Sequence, residues 1–125
     1  MAQKKKSTYN PNNLIKTINK WSIPIIDKKH NLRIYVGGRA RSNQTRIDHI
    51  VDYGHDLKVR DLELVPKGIK NYFSYKKDLT YKNTYNYYIK RRGENKGFIK
   101  VSIRISDYDP TYAWIKTIFI TYKIK

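Results

Sequence analysis

Phe98-Ile99-Lys100-Val101-Ser102-Ile103-Arg104-Ile105-Ser106 is the stretch that decides the fold. Apolar β-branched residues alternate with polar ones, so Ile99, Val101, Ile103 and Ile105 face a core while Lys100, Ser102 and Arg104 share the other face of a strand. Working outward, Tyr85 to Arg91, Ala113 to Ile124 and Ile69 to Tyr75 are rich in the same strand-forming residues. The turn signals Arg92-Gly93-Glu94-Asn95 and Asp107-Tyr108-Asp109-Pro110 separate the last three strands. Along the last strand the alternation places Trp114, Ile118, Ile120, Tyr122 and Ile124 on one side and Thr117, Thr121 and Lys123 on the other. The expected sheet therefore carries one cationic, hydroxyl-bearing face.

Upstream, residues 1–9 read as a basic arm without apolar periodicity. Asn10-Pro11 supplies an N-cap and a first-turn proline, and Leu14, Ile15, Ile18 and Trp21 follow at helical spacing. Ile23-Pro24-Ile25-Ile26 and Leu32-Arg33-Ile34-Tyr35-Val36 flank a polar turn and predict a hairpin, with Pro24 marking an edge strand. Gly37-Gly38 opens a basic loop carrying Arg39, Arg41 and Arg46. Asn43 or Thr45 can cap a helix through about Tyr53, with Gly54 as its stop. Leu57 to Val65 fits a short helix or a strand, closed by Pro66. The predicted fold is α+β: two or three short helices packed on a four-stranded or larger antiparallel sheet, with an N-terminal helix and β-hairpin, in one domain over residues 10–125.

In the 125-residue chain, 27 Lys and Arg oppose 10 Asp and Glu, a formal charge of +17. Such self-repulsion calls for a polyanionic partner. No apolar run is long enough to span a bilayer, and the basic start lacks the apolar segment of a secretory signal, so a cytoplasmic protein is expected. The absence of Cys removes disulfides and thiolate metal sites. No Walker, nucleophile-elbow or dinucleotide motif is present, and no cofactor or metal is expected.

What such a chain can still do is cleave RNA using the ribose 2′-hydroxyl as nucleophile, which requires an acid or base and cations around the phosphate. Its three His are the natural proton carriers. His49 and His55 bracket a predicted helix end, while His30 reads as a solvated turn residue. Lys90, Arg91, Lys100 and Arg104, with Arg39, Arg41 and Arg46, are the phosphate-binding candidates. Tyr72, Phe73, Tyr75, Tyr81, Tyr85, Tyr87 and Tyr88 either stack on bases or pack the sheet.

The run Arg46-Ile47-Asp48-His49-Ile50-Val51-Asp52-Tyr53-Gly54-His55, then Leu64-Val65-Pro66 and the closing strand Ile115-Lys116-Thr117-Ile118-Phe119-Ile120-Thr121-Tyr122, resembles the barnase, EndoU, colicin D and RelE superfamily of ribonucleases, nearest to its phage-borne toxin branch. The resemblance covers about residues 45 to 124. It implies a metal-independent endoribonuclease acting on tRNA or other structured RNA and leaving a cyclic phosphate. His49 and His55 would be the acid and base, Thr121 and Tyr122 hydroxyl donors, and Lys90 or Arg91 the phosphate cation. RNA is then the expected partner, DNA the second choice, with an acidic immunity or antitoxin protein as neutraliser. Two rivals need no catalysis: a nucleic-acid-binding protein such as a phage-encoded inhibitor or RNA chaperone, and an interaction module for an acidic protein.

Overall fold

A computed structural model describes residues 11–36, 57–93 and 96–124. Among these, helix α1 (Pro11–Asn19) is followed by strands β1 (Ile25–Asp27) and β2 (Leu32–Val36). Helix α2 (Val59–Lys70) and strands β3 (Ser74–Lys77), β4 (Thr84–Lys90), β5 (Phe98–Ile105) and β6 (Tyr112–Thr121) complete the chain order. The six strands form one sheet in the order β1-β2-β6-β5-β4-β3. All neighbours are antiparallel except β2 and β6, which run parallel. The α+β class, the N-terminal helix and the hairpin follow the sequence reading. The basic arm, the Arg39, Arg41 and Arg46 loop and the helix around His49 lie outside the described residues.

Leu57 to Val65 is resolved in favour of helix, and the helix does not stop at Pro66 but continues to Lys70. Ile69, expected in the first strand of the main sheet, is therefore helical. Pro66 removes one helical hydrogen bond and crowds the preceding turn, at about 3 kcal/mol. Leu62, Val65 and Ile69 are fully buried along one stripe. Burying each such side chain contributes about 1.5–3 kcal/mol, enough to offset the proline. This stripe and Leu14 and Ile18 of α1 pack over Ile34, Ile99, Val101, Ile103 and Ile115 of the sheet.

The sheet is curled. On the ladder β1 and β4 are four steps apart, roughly 19 Å in a flat sheet. Yet the Tyr87 hydroxyl of β4 donates a 2.5 Å hydrogen bond to Asp27 Oδ2 of β1. Only a sheet rolled around its helix-covered side brings these groups together. One residue also departs from the expected alternation: Ser102 pairs with Thr117 but Ile103 pairs with Ile115, so β6 bulges at Lys116. A bulge inserts one residue and reverses the facing beyond it. Trp114 consequently shares a face with Arg104, opposite to Ile118 and Ile120, where simple alternation had put it.

Burial holds the Tyr87 phenol well above its ordinary value of 10.0, with the Asp27 carboxylate adding to the effect. Burial, then the neighbouring Tyr85, does the same to Tyr75. Folding thus favours the protonated phenols, so their contribution is complete below the unfolded value of 10.0 and is lost as pH rises above it. The expected result is that the phenolate absorbance of these two rings appears only together with loss of near-UV circular dichroism. A Tyr87→Phe variant should lose one of those phenols from the cooperative step.

Candidate nucleic-acid interface

Both helices pack on the inner, concave side of the sheet, and the outer face is built from the alternate residues. Its rows follow from the register. Lys90, Phe98 and Thr121 stand side by side, then Ser74, Tyr88, Lys100 and Phe119, then Lys76, Asn86, Ser102 and Thr117. The bulge continues the face with Thr84, Arg104, Trp114 and Tyr35, and beyond them Tyr112 and Arg33. Aromatic rings and cations therefore interleave across neighbouring strands.

The contacts bear this out. Lys100 Nζ lies 5.2 Å from the Phe119 ring centre and 6.0 Å from that of Tyr88. Lys90 Nζ sits 4.7 Å over Phe73, whose ring meets Phe98 at 5.2 Å. Lys116, pushed outward by the bulge, lies 4.3 Å over Tyr81. At the other end Tyr35 stacks on Tyr112 at 4.8 Å, and Tyr112 meets Trp114 at 6.0 Å. Phe73, Tyr81 and Tyr122 are exposed, and Phe98, Phe119, Trp114, Tyr35 and Tyr112 are half-buried. Each half-buried ring is held at its edge by its neighbours.

A polar seam stiffens the face. Ser102 donates to Asn86 Oδ1 at 2.6 Å, and Asn86 donates to Asp78 Oδ1 at 3.1 Å. The Asn86 amide, with the backbone N–H groups of Tyr81 and Thr80, holds the Asp78 carboxyl below its usual range. Arg104 reaches both oxygens of Asp107 at 3.2 Å, and its hydrogen bond keeps that acid ionised to lower pH. Arg33 pairs with Asp109 at 3.1 Å. The carboxylates of the β5–β6 loop thus hold Arg104 and Arg33 at the strand ends.

The expected site residues separate into four groups. Lys90, Lys100, Arg104 and Thr121 share the outer face, spread along it from the Phe98 end of β5 to the Arg104 end. Tyr122 is exposed just past β6, with its ring against Gly97. That glycine has φ of +91, and a Cβ there would fall 2.8 Å from both the Thr121 carbonyl oxygen and the Tyr122 ring, so only glycine admits this approach. Arg91, expected at a phosphate, instead turns under the sheet: its Nε and one terminal nitrogen each donate at 3.0 Å to Asp61, which is completely buried. Its guanidinium is held by a structural acid. His49, His55, Arg39, Arg41 and Arg46 lie outside the described residues.

His30 does not read as a solvated turn residue. Its Nδ1 lies 2.8 Å from Asp27 Oδ2, and its ring stacks on Tyr75 at 3.9 Å. Among the tyrosines, Tyr72, Tyr75, Tyr85 and Tyr87 turn inward, whereas Tyr88 lies on the outer side of β4 but is itself buried. The sequence reading missed Phe98, Phe119, Trp114, Tyr35 and Tyr112 as face residues. Phe98 and Phe119 were recoverable by extending the alternation of Lys100 and Thr121, but Trp114 was hidden by the bulge. Among the described residues no three His, Asp or Glu side chains gather into a metal-binding group, and no helix is long and apolar enough to cross a membrane. No family model, curated protein or solved structure matches the chain.

Proposed function

We propose that this protein binds single-stranded RNA across the outer face of its sheet, in a cytoplasmic setting. The observation that carries the reading is the interleaving of rings and cations along the rows Lys90-Phe98, Lys100-Phe119 and Arg104-Trp114. Unpaired bases stack on aromatic side chains of any neighbouring strand, while Lys and Arg between the rings meet the phosphates that link those bases. A base locked in a duplex cannot offer its face in this way. The hydroxyl of Thr117 stands on the same face, whereas that of Thr121 is bonded to the Lys123 backbone.

Titrating a labelled single strand and the corresponding duplex at several salt concentrations tests this. Single strands should bind more tightly, with the logarithm of affinity falling linearly against log salt at about −0.7 per phosphate neutralised. Equal affinity for duplex and single strand, or binding indifferent to salt, would refute it.

A further inference from the structure

We infer that a cavity on the helix-bearing side of the molecule takes a nucleoside 5′-phosphate, with Trp21 against the base and Lys20, Lys67 and Lys70 around the phosphates. It measures about 440 Å³ and lies between the end of α1, the start of β1 and the last turns of α2. Small-molecule sites run to roughly 300–1,000 Å³ and set a few polar groups in a mostly apolar lining. Here Trp21, Pro24 and Pro66 supply the apolar part and the three lysines the charge. Among the described residues no carboxylate lines this cavity, and none of the three lysines forms an ion pair. None of the lining residues belongs to the outer-face rows, so the site stands apart from the RNA-binding reading.

Two features set this cavity apart from a scatter of surface lysines. Trp21 Nε1 is buried and has no hydrogen-bond partner among the described residues, whereas buried donors are normally paired. Trp21 also borders a second cavity of about 440 Å³, shared with Lys16, Lys20 and Glu63. Bordered twice by open volume, the indole has room to turn its donor toward an acceptor, which a ring in a close-packed core lacks. The cations, too, are gathered by the fold. Lys67 and Lys70 are three residues apart on α2 and so share a face. A helix C-terminus favours such cations by itself, but only the packing of α1 on α2 adds Lys20 to them.

These groups select a ligand by its two ends. An indole offers a flat face on which any base can stack, and ammonium groups form charge-assisted bonds to phosphate oxygens. Lys70 also borders a cavity of about 300 Å³ that Lys28 and Lys29 line. The one carboxylate there, Asp27, already accepts from Tyr87 and meets His30. The cationic surface therefore extends past a single phosphate and suits a chain of two or three. A bare polyanion would leave the indole unused, and an uncharged ring would leave the lysines unpaired. A free nucleotide and the phosphorylated start of an RNA strand share the required chemistry.

In the full chain, Trp114→Phe leaves Trp21 as the single tryptophan, so its fluorescence reports on this cavity. ATP should quench it saturably, and inorganic triphosphate, which has no base to stack, should bind at least about 5-fold more weakly. Lys67 and Lys70 are exposed, so Lys67→Ala, Lys70→Ala should fold normally and weaken ATP binding at least about 10-fold. A 5′-triphosphorylated oligonucleotide that outbinds its 5′-hydroxyl form in wild type but not in the lysine variant assigns the site to strand ends. Equal binding of the two forms beside saturable ATP binding assigns it to free nucleotides. Absence of quenching by ATP and by the triphosphorylated strand would overturn the site and leave the outer-face reading standing. So would ATP affinity unchanged in the lysine variant, or inorganic triphosphate binding as tightly as ATP. Loss of ATP binding in Phe119→Ala would overturn it as well, by merging the cavity with the outer face.

Discussion

Asp61→Ala should lower the stability of the fold by about 3–5 kcal/mol, the usual consequence of leaving a buried charge without its partner. Asp61 is completely buried and receives a two-pronged contact from Arg91, whose side chain is 6% exposed. The same carboxylate accepts the Lys58 backbone N–H at 3.0 Å and so closes the first turn of α2. Arg91 also donates to the Lys96 carbonyl at 2.9 Å. Removing Asp61 therefore frees the helix start and the β4–β5 connection together. With a urea dependence of about 1–3 kcal/mol per molar, the unfolding midpoint should fall by a molar or more. Arg91→Lys should recover only part of the loss, because an ammonium cannot make the paired contact. The double variant Asp61→Leu, Arg91→Met should be far less damaged than the two single effects predict in sum. RNA affinity per folded molecule should hardly change in Arg91→Lys, which separates this arginine from those on the outer face.

Phe119→Ala and Trp114→Ala should each weaken single-stranded RNA binding by about 1–3 kcal/mol, a factor of about 5 to 150. Both rings are half-buried at the base of the face, and each has a cation as cross-strand neighbour, Lys100 for Phe119 and Arg104 for Trp114. Truncation removes the stacking surface and leaves the charge, so the salt slope should stay the same. Lys100→Ala should do the reverse: it should weaken binding less and reduce the salt slope by about one. Tyr108→Ala is the control. Tyr108 is the most exposed tyrosine among the described residues, at 87%, and lies in the β5–β6 loop rather than in one of the rows. Fluorescence anisotropy with one labelled oligonucleotide measures all four. Unchanged affinity in Phe119→Ala and Trp114→Ala would show that the outer face is not the RNA surface.

Much of the fold was legible because amphipathic periodicity is a local property. The alternation of Ile99 to Ile105 defined both faces of β5, and Lys100 and Arg104 stand where it put them. Leu14 and Ile18 are one turn apart and buried, as their spacing in α1 requires. Pro66 misled the reading because its local cost is outweighed by burial of Val65 and Ile69, a quantity absent from any short window. The bulge at Lys116 is equally invisible, since one extra residue in β6 has meaning only against its partner β5.

Composition and period thus determined, without coordinates, an α+β chain with a cationic sheet face. Tertiary structure alone decided which cations remain outside. Arg91 and Asp61 are 30 residues apart, and Asp27 and Tyr87 are 60 apart, so neither pairing leaves a trace in local sequence. The rolling of the sheet creates both, because a buried charge must find its partner wherever packing happens to bring one.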